Sequence, residues 1–193
     1  MIIFHIIGAI GIKLYPDVFL KASVFNLLLS VFCVFAFSKL KTNNFLLLGL
    51  LALLALIIEI VGVSTGLPFG SYYYGNNLGP KLFNVPLIIG VNWILLLYCC
   101  NVLFREQNIL VAAFYSAICM VLLDFLMEQN VEKLGFWFWE NHVVPLQNYL
   151  AWFVISVLFT LVIRKYFKPE ENKVAVVFYI VQVVFFAYCY FII

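Results

Sequence analysis

Three carboxylates stand inside stretches of sequence that are otherwise almost wholly apolar. Glu59 follows FLLLGLLALLALII, and Asp124 and Glu128 lie four apart near the end of another apolar run. That spacing places the second pair on one helix face. A charge at mid-helix in a bilayer costs about 2.5–3.5 kcal/mol on the insertion scale. The eight Leu, two Ile and one Phe of residues 45–58 return roughly 3–7 kcal/mol on the same scale. Insertion therefore tolerates Glu59, and an ionisable group retained inside a span is a functional candidate. Two ionised carboxylates on one face repel in a low dielectric, so one acid of the three is expected to keep its proton. A buried carboxylic acid of that kind is a general acid. The competing role is structural: tying helices together, or pairing with Lys81 and Lys133.

The residues around these acids are aromatic. All four tryptophans (Trp93, Trp137, Trp139 and Trp152) fall in or just beyond two long connections, residues 64–83 and 129–145. The first connection also carries Tyr72, Tyr73 and Tyr74. Gly66, Pro68, Gly70 and Gly75 bar a continuous helix there, and irregular backbone at membrane depth is tolerated where protein buries it or it lines a cavity. A short pattern recurs: Val85-Pro86-Leu87, five residues, Trp93, and again Val144-Pro145-Leu146, five residues, Trp152. Proline at a first turn loses no helical hydrogen bond, and a Trp seven residues on returns to the same face about 10 Å deeper. That depth favours cavity lining over an interfacial belt. Both copies follow an aromatic stretch and a span ending in carboxylates. The two units, about 45–104 and 108–164, therefore read as a parallel internal repeat about an axis along the membrane normal.

An aromatic-walled cavity holding weak acids, with no nucleophile–base pair, phosphate loop or metal cluster in the sequence, suits proton addition to an apolar alkene. Aromatic faces stabilise the resulting carbocation, which water, proton loss or ring closure then quenches.

The elements that must position these groups are membrane helices. Of 193 residues, 66% are hydrophobic and 10% charged, with mean hydropathy +1.12; soluble domains carry about 25% charged residues. Runs without apolar–polar alternation exclude a membrane β-barrel. The fold expected is an all-α polytopic membrane protein, one membrane domain spanning 1–193. Its seven segments are placed at about 1–14, 18–38, 45–63, 84–104, 108–128, 146–164 and 174–193, the first short enough to be tilted or partly inserted. Seven Lys/Arg (Lys39, Lys41, Arg105, Arg164, Lys165, Lys168, Lys173) fall on one side and four (Lys13, Lys21, Lys81, Lys133) on the other. The positive-inside rule then predicts a cytoplasmic N-terminus in a multi-pass inner-membrane protein, with both long connections outside. A net charge of +2 is too small and scattered for nucleic acid. The cysteines (Cys33, Cys99, Cys100, Cys119, Cys189) lie inside apolar runs without metal-ligand spacing and read as packing residues, as does His5. The N-terminal stretch has no basic region or cleavage site and is not read as a removed signal.

The run from Glu59 to Pro86, EIVGVSTGLPFGSYYYGNNLGPKLFNVP, resembles the carotenoid biosynthesis protein family, which includes 1′,2′-hydratases. The second unit is similar to that family's D-x3-E…G-x-W-x-W…V-P-L-x-N-x3-W pattern through Asp124, Glu128, Gly135, Trp137, Trp139, Val144, Pro145, Leu146, Asn148 and Trp152. The likeness covers about residues 45–160. Gln129 departs from it, standing where the family has proline, and this bears on how the helix ends beneath Glu128.

The resemblance implies cofactor-free hydration of the ψ-end double bond of an acyclic carotenoid of the lycopene or γ-carotene type, a hydro-lyase reaction giving a tertiary alcohol. It also implies a site without metal, an apolar carotenoid drawn from the lipid, and other carotenoid-pathway enzymes as partners. Glu59, Asp124 and Glu128 would act as acid and water-positioning groups. Thr65, Phe69, Tyr72, Tyr74, Lys81, Asn92, Trp93, Trp137, Trp139, Asn148 and Trp152 would bind substrate, with His142 either relaying a proton or facing water. End-group cyclisation starts from the same cation and is the alternative. A proton-coupled transporter is the non-enzyme alternative, although the spans lack a polar stripe. A diphosphate-dependent prenyltransferase is disfavoured because Arg105 and Arg164 fall on the opposite face.

Overall fold

The long apolar runs become helices because, without water, every backbone N–H and C=O must be satisfied within the segment. The computed structural model describes residues 2–192. Its helices are α1 (Ile2–Leu14), α2 (Pro16–Ala36), α3 (Thr42–Thr65), α4 (Ile88–Leu103), α5 (Ile109–Glu128), α6 (Leu146–Tyr166) and α7 (Lys173–Ile192). Four short strands lie in the long connections: β1 (Tyr72–Tyr74), β2 (Lys81–Leu82), β3 (Val85–Pro86) and β4 (Trp137–Trp139). The protein is an all-α polytopic membrane protein. Five helices (α2, α3, α5, α6 and α7) are long and apolar enough to cross a bilayer. The 13 residues of α1 reach roughly 20 Å at 1.5 Å each, short of a hydrocarbon core of about 30 Å.

Local signals set the boundaries. Pro16 opens α2 in its first turn, where its missing N–H is not needed. Asn108 caps α5 by accepting a 3.0 Å bond from the Val111 N–H. Gly66 ends α3 in the left-handed conformation (φ 75°), which glycine adopts without a Cβ penalty.

Two expectations are corrected. The fourth segment begins at Ile88 rather than 84, because Val85–Pro86 pairs with Lys81–Leu82 as a small antiparallel hairpin. Pro86 therefore lies in a strand, and Pro145 is the N-cap residue of α6, one position before its first turn. The prolines direct the chain into the helices without belonging to them.

The core is α4, with 13 of its 16 residues buried. Helices α3, α5, α6 and α7 surround it, while α1 and α2 form a peripheral pair. Polar ties join these helices: Asn101 donates to Thr160 Oγ1 (3.0 Å) between α4 and α6, and Asn130 donates to the Phe186 carbonyl (3.0 Å), linking the residues after α5 to α7. The Tyr179 hydroxyl donates to the Cys119 carbonyl (2.9 Å) between α7 and α5. Such bonds hold helices together where lipid offers no hydrophobic drive. At the end opposite the strands, Arg164 donates to the carbonyls of Arg105 and Gln107, and Lys168 meets Glu106 at 2.8 Å.

Helices α3 and α4 approach closely at Gly90, where a Cβ would lie 2.3 Å from the Ala52 carbonyl oxygen. Gly90→Val should push the helices apart and cost about 1–3 kcal/mol, read as a lower melting temperature in detergent. Gly49→Ala, on α3 with nothing within 4 Å of the added Cβ, should leave the melting temperature unchanged or slightly raised.

Candidate active site

The carboxylates at the ends of α3 and α5 are brought beneath a sheet made from the two long connections. β1 and β4 pair antiparallel, with Tyr72 opposite Trp139, Tyr73 opposite Phe138 and Tyr74 opposite Trp137. Strand alternation sends side chains to opposite faces. Tyr72, Tyr74, Trp137 and Trp139 accordingly point down to the carboxylates, while Tyr73 and Phe138 stack on the outer face with centroids 5.2 Å apart. The connections meet closely: the Gly75 N–H donates to the Phe136 carbonyl (2.8 Å), and Asn77 donates to the Leu134 carbonyl (2.9 Å). A Cβ on Gly75 would lie 2.1 Å from the Gly135 oxygen, so this approach requires glycine.

Each acid has its own set of donors. Glu59, 4% exposed, accepts from Tyr72 (2.5 Å) and Tyr74 (2.8 Å) on one oxygen and from Trp93 Nε1 (2.8 Å) on the other. Glu128 accepts from Trp139 Nε1 (2.7 Å) and, on both oxygens, from Trp137 Nε1 (3.2 and 3.3 Å). Asp124 is fully buried; its Oδ2 accepts from Asn148 (2.8 Å), and its Oδ1 has no partner among the described residues. Burial pushes the Tyr72 and Tyr74 phenols well above the usual tyrosine range, and the Glu59 carboxylate adds to this. Both therefore remain O–H donors.

These groups enclose a cavity of about 30 Å³, room for about one water molecule. Trp93 and Trp152 stack at 3.9 Å between ring centroids and form one wall, with Phe69 packed beside Trp93. Asn92 also lines the cavity, and its side chain has no hydrogen-bonding partner among the described residues. No group of three or more His, Cys, Asp or Glu among the described residues is placed to hold a metal ion.

Of the site residues expected from sequence, Glu59, Asp124, Glu128, Phe69, Tyr72, Tyr74, Asn92, Trp93, Trp137, Trp139, Asn148 and Trp152 meet in this one cavity. Three do not. Thr65 is exposed at the end of α3, bonded to the Val61 carbonyl (2.7 Å). Lys81 reaches the Tyr74 carbonyl (2.7 Å) and Asn76 (3.2 Å), so it braces β1 from outside. The His142 side chain is 80% exposed and pairs with Glu132 at 2.8 Å. Ile89 and Met127 line the cavity without having stood out in the sequence; each is one more apolar residue in an apolar run. Glu132 was also passed over: it accepts the Trp139 N–H (3.1 Å) and so anchors β4.

The model of the carotenoid biosynthesis protein family matches residues 21–193. The chain belongs to that family. This carotenoid biosynthesis protein is also 32% identical over 108 residues to a bisanhydrobacterioruberin hydratase of Haloarcula japonica, an alignment covering 49% of this chain. It matches only 36% of that relative's length. No solved structure matches the chain. At Gln129, where the resemblance led to the expectation of proline, the backbone keeps φ −66° and ψ −14°. Proline would hold the same φ, and α5 ends at Glu128 with Gln129 in that position.

Trp93→Phe should leave the buried Glu59 Oε1 without a donor and cost about 1–3 kcal/mol, measured by thermal unfolding in detergent. Tyr73→Phe, on the outer face of the same sheet, should stay within about 0.5 kcal/mol of the parent.

Proposed function

We propose that the protein hydrates the terminal double bond of an acyclic, lycopene-type carotenoid end group. The observation carrying this reading is the pairing of an under-bonded buried acid with a cavity for one water. Glu59 and Glu128 each accept from tryptophan or tyrosine donors on both oxygens, an arrangement that suits a carboxylate. Asp124 has one donor and a free Oδ1, an arrangement that suits the proton donor. Its O–H proton adds to the less substituted carbon of the alkene and leaves a tertiary cation. The Trp93, Trp152 and Trp139 faces stabilise that cation. A water held at Asn92 attacks it, forming the C–O bond, and passes its spare proton back to the carboxylate set. The net change is addition of one H2O across the double bond, and it needs no cofactor. Family membership and the hydratase relative support this substrate class. End-group cyclisation would begin with the same protonation and differ in excluding the water.

The paired β1–β4 strands and the stacked Trp93–Trp152 pair, each with one member from each half of the chain, support a duplicated two-helix unit. The seven Lys/Arg at the opposite end support a cytoplasmic position for the 39–41, 105–107 and 164–173 loops. The enzyme would lie in the cell membrane, alongside the enzymes that make its substrate.

Expression in a lycopene-producing bacterium should give pigment heavier by one water. Unmodified lycopene would overturn the reading, and an isomer of equal mass but altered retention would establish cyclisation instead. Asp124→Asn should lower conversion by about 10²–10⁴-fold, the usual worth of a general acid. Asn92→Leu, which removes the water's partner, should shift product from the alcohol towards elimination or cyclised isomers, read as the ratio of hydrated to equal-mass pigment.

A further inference from the structure

The cavity at the carboxylates has room for about one water, so the end group must reach the acids from an adjoining space and the polyene behind it must lie farther out. A second chamber of about 110 Å³ adjoins it, sharing Ile89, Asn92, Met127 and Trp137 as a common wall. It lies between α1, α2, α4 and α7, and Leu27, Ile88, Phe136 and Phe186 make its lining mainly apolar. That chamber in turn shares His5 and Phe185 with a groove of about 410 Å³ between α1 and α7. The groove is walled by Ile6, Ala9, Ile10, Val181, Val184 and their neighbours. Ile6, Ile10 and Val184 are about half exposed or more (53%, 51% and 60%), so the groove opens sideways towards acyl chains.

We propose that these three spaces form one lateral channel, in which the polyene arm of a linear isoprenoid lies while its end group reaches the carboxylates. This rests on the function proposed above and specifies how its substrate is held. Three observations carry it. The spaces adjoin, each neighbouring pair having lining residues in common. They widen and become more apolar away from the acids, which matches a substrate with one reacting end and a long inert body. The neck is formed at His5, which meets Gln182 at 2.9 Å and lies edge-on to Phe178 and Phe185. Helix α1 is short and peripheral, whereas α3 to α6 meet around the site, so α1 is the outer wall of the channel. Residues 2–14 also lie outside the 21–193 family match, so this wall is supplied by a part of the chain that the family model does not cover.

The test is to fill the groove at half-buried Ala9. Wild type, Ala9→Trp and Ala9→Phe would be purified from lycopene-producing cells, with Leu46→Trp on the lipid-facing side of α3 as a control. The pigment retained per protein is measured by absorbance, a readout that needs no turnover. The channel requires wild type and Leu46→Trp to retain carotenoid pigment, lycopene or its equally coloured hydrate, and both Ala9 variants to lose about tenfold or more. Wild type retaining none, or Ala9 variants with unchanged melting temperature retaining as much as wild type, overturns it; unchanged retention would leave the groove to a membrane lipid chain. Conversion of a ten-carbon acyclic isoprenoid with the same end group is the second arm. The channel predicts that Ala9→Trp and Ala9→Phe keep this activity while losing lycopene hydration, and equal loss on both substrates in both folded variants overturns it. Retained pigment with no hydration by wild type would overturn the proposed reaction and leave the channel standing.

Discussion

Burying three carboxylates within one small, low-dielectric space is the constraint around which this protein is built. A carboxylate removed from water must recover its hydrogen bonds or bear a large desolvation penalty. In a chain that is 66% hydrophobic few polar side chains are at hand, and the donors are Tyr72, Tyr74, Trp93, Trp137, Trp139 and Asn148. Tyrosine and tryptophan suit this position because each presents one polar atom on an otherwise apolar ring. The donor can reach an acid while the remainder of the side chain packs against hydrocarbon.

The architecture follows from bringing those donors to the acids. The two long connections cannot be free loops, because each must hold two rings at alternate positions above a helix end. Pairing them as β1 and β4 satisfies their backbones and fixes all four rings on one face. Lys81, Asn77, Gln147 and Glu132 then brace the connections from outside. Beneath them, α4 supplies Trp93 and close packing at Gly90, and α6 supplies Asn148 and Trp152. The result is a small pocket at the carboxylates, with α1 at the periphery.

Much of the site was legible because charge is scarce. In a span such as α3, Glu59 is conspicuous, and the Asp124–Glu128 spacing announces a shared face. The aromatic connections were equally visible from the glycines and prolines that break helix within them. The misplaced residues share a different cause. Thr65, Lys81 and His142 lie beside the right residues in sequence, but a left-handed turn, a strand edge and a 3-10 turn direct them outward. Pro86 was read as helical because the pattern V-P-L-x5-W is the same in both copies. Only in the second copy, however, does the proline abut the helix it precedes.

By itself the sequence determined that this chain is a bundle of membrane helices carrying acids and aromatic rings towards one end, because hydropathy and helix periodicity are local properties. Tertiary structure decided which ring serves which acid. Tyr72 and Trp139 lie 67 residues apart in the chain, yet they face each other across one ladder. Helix packing left Asp124 Oδ1 as the one carboxylate oxygen of the three acids that is buried without a partner among the described residues. Hydrogen bonds between segments distant in sequence depend on register and packing, and no single stretch of residues encodes them.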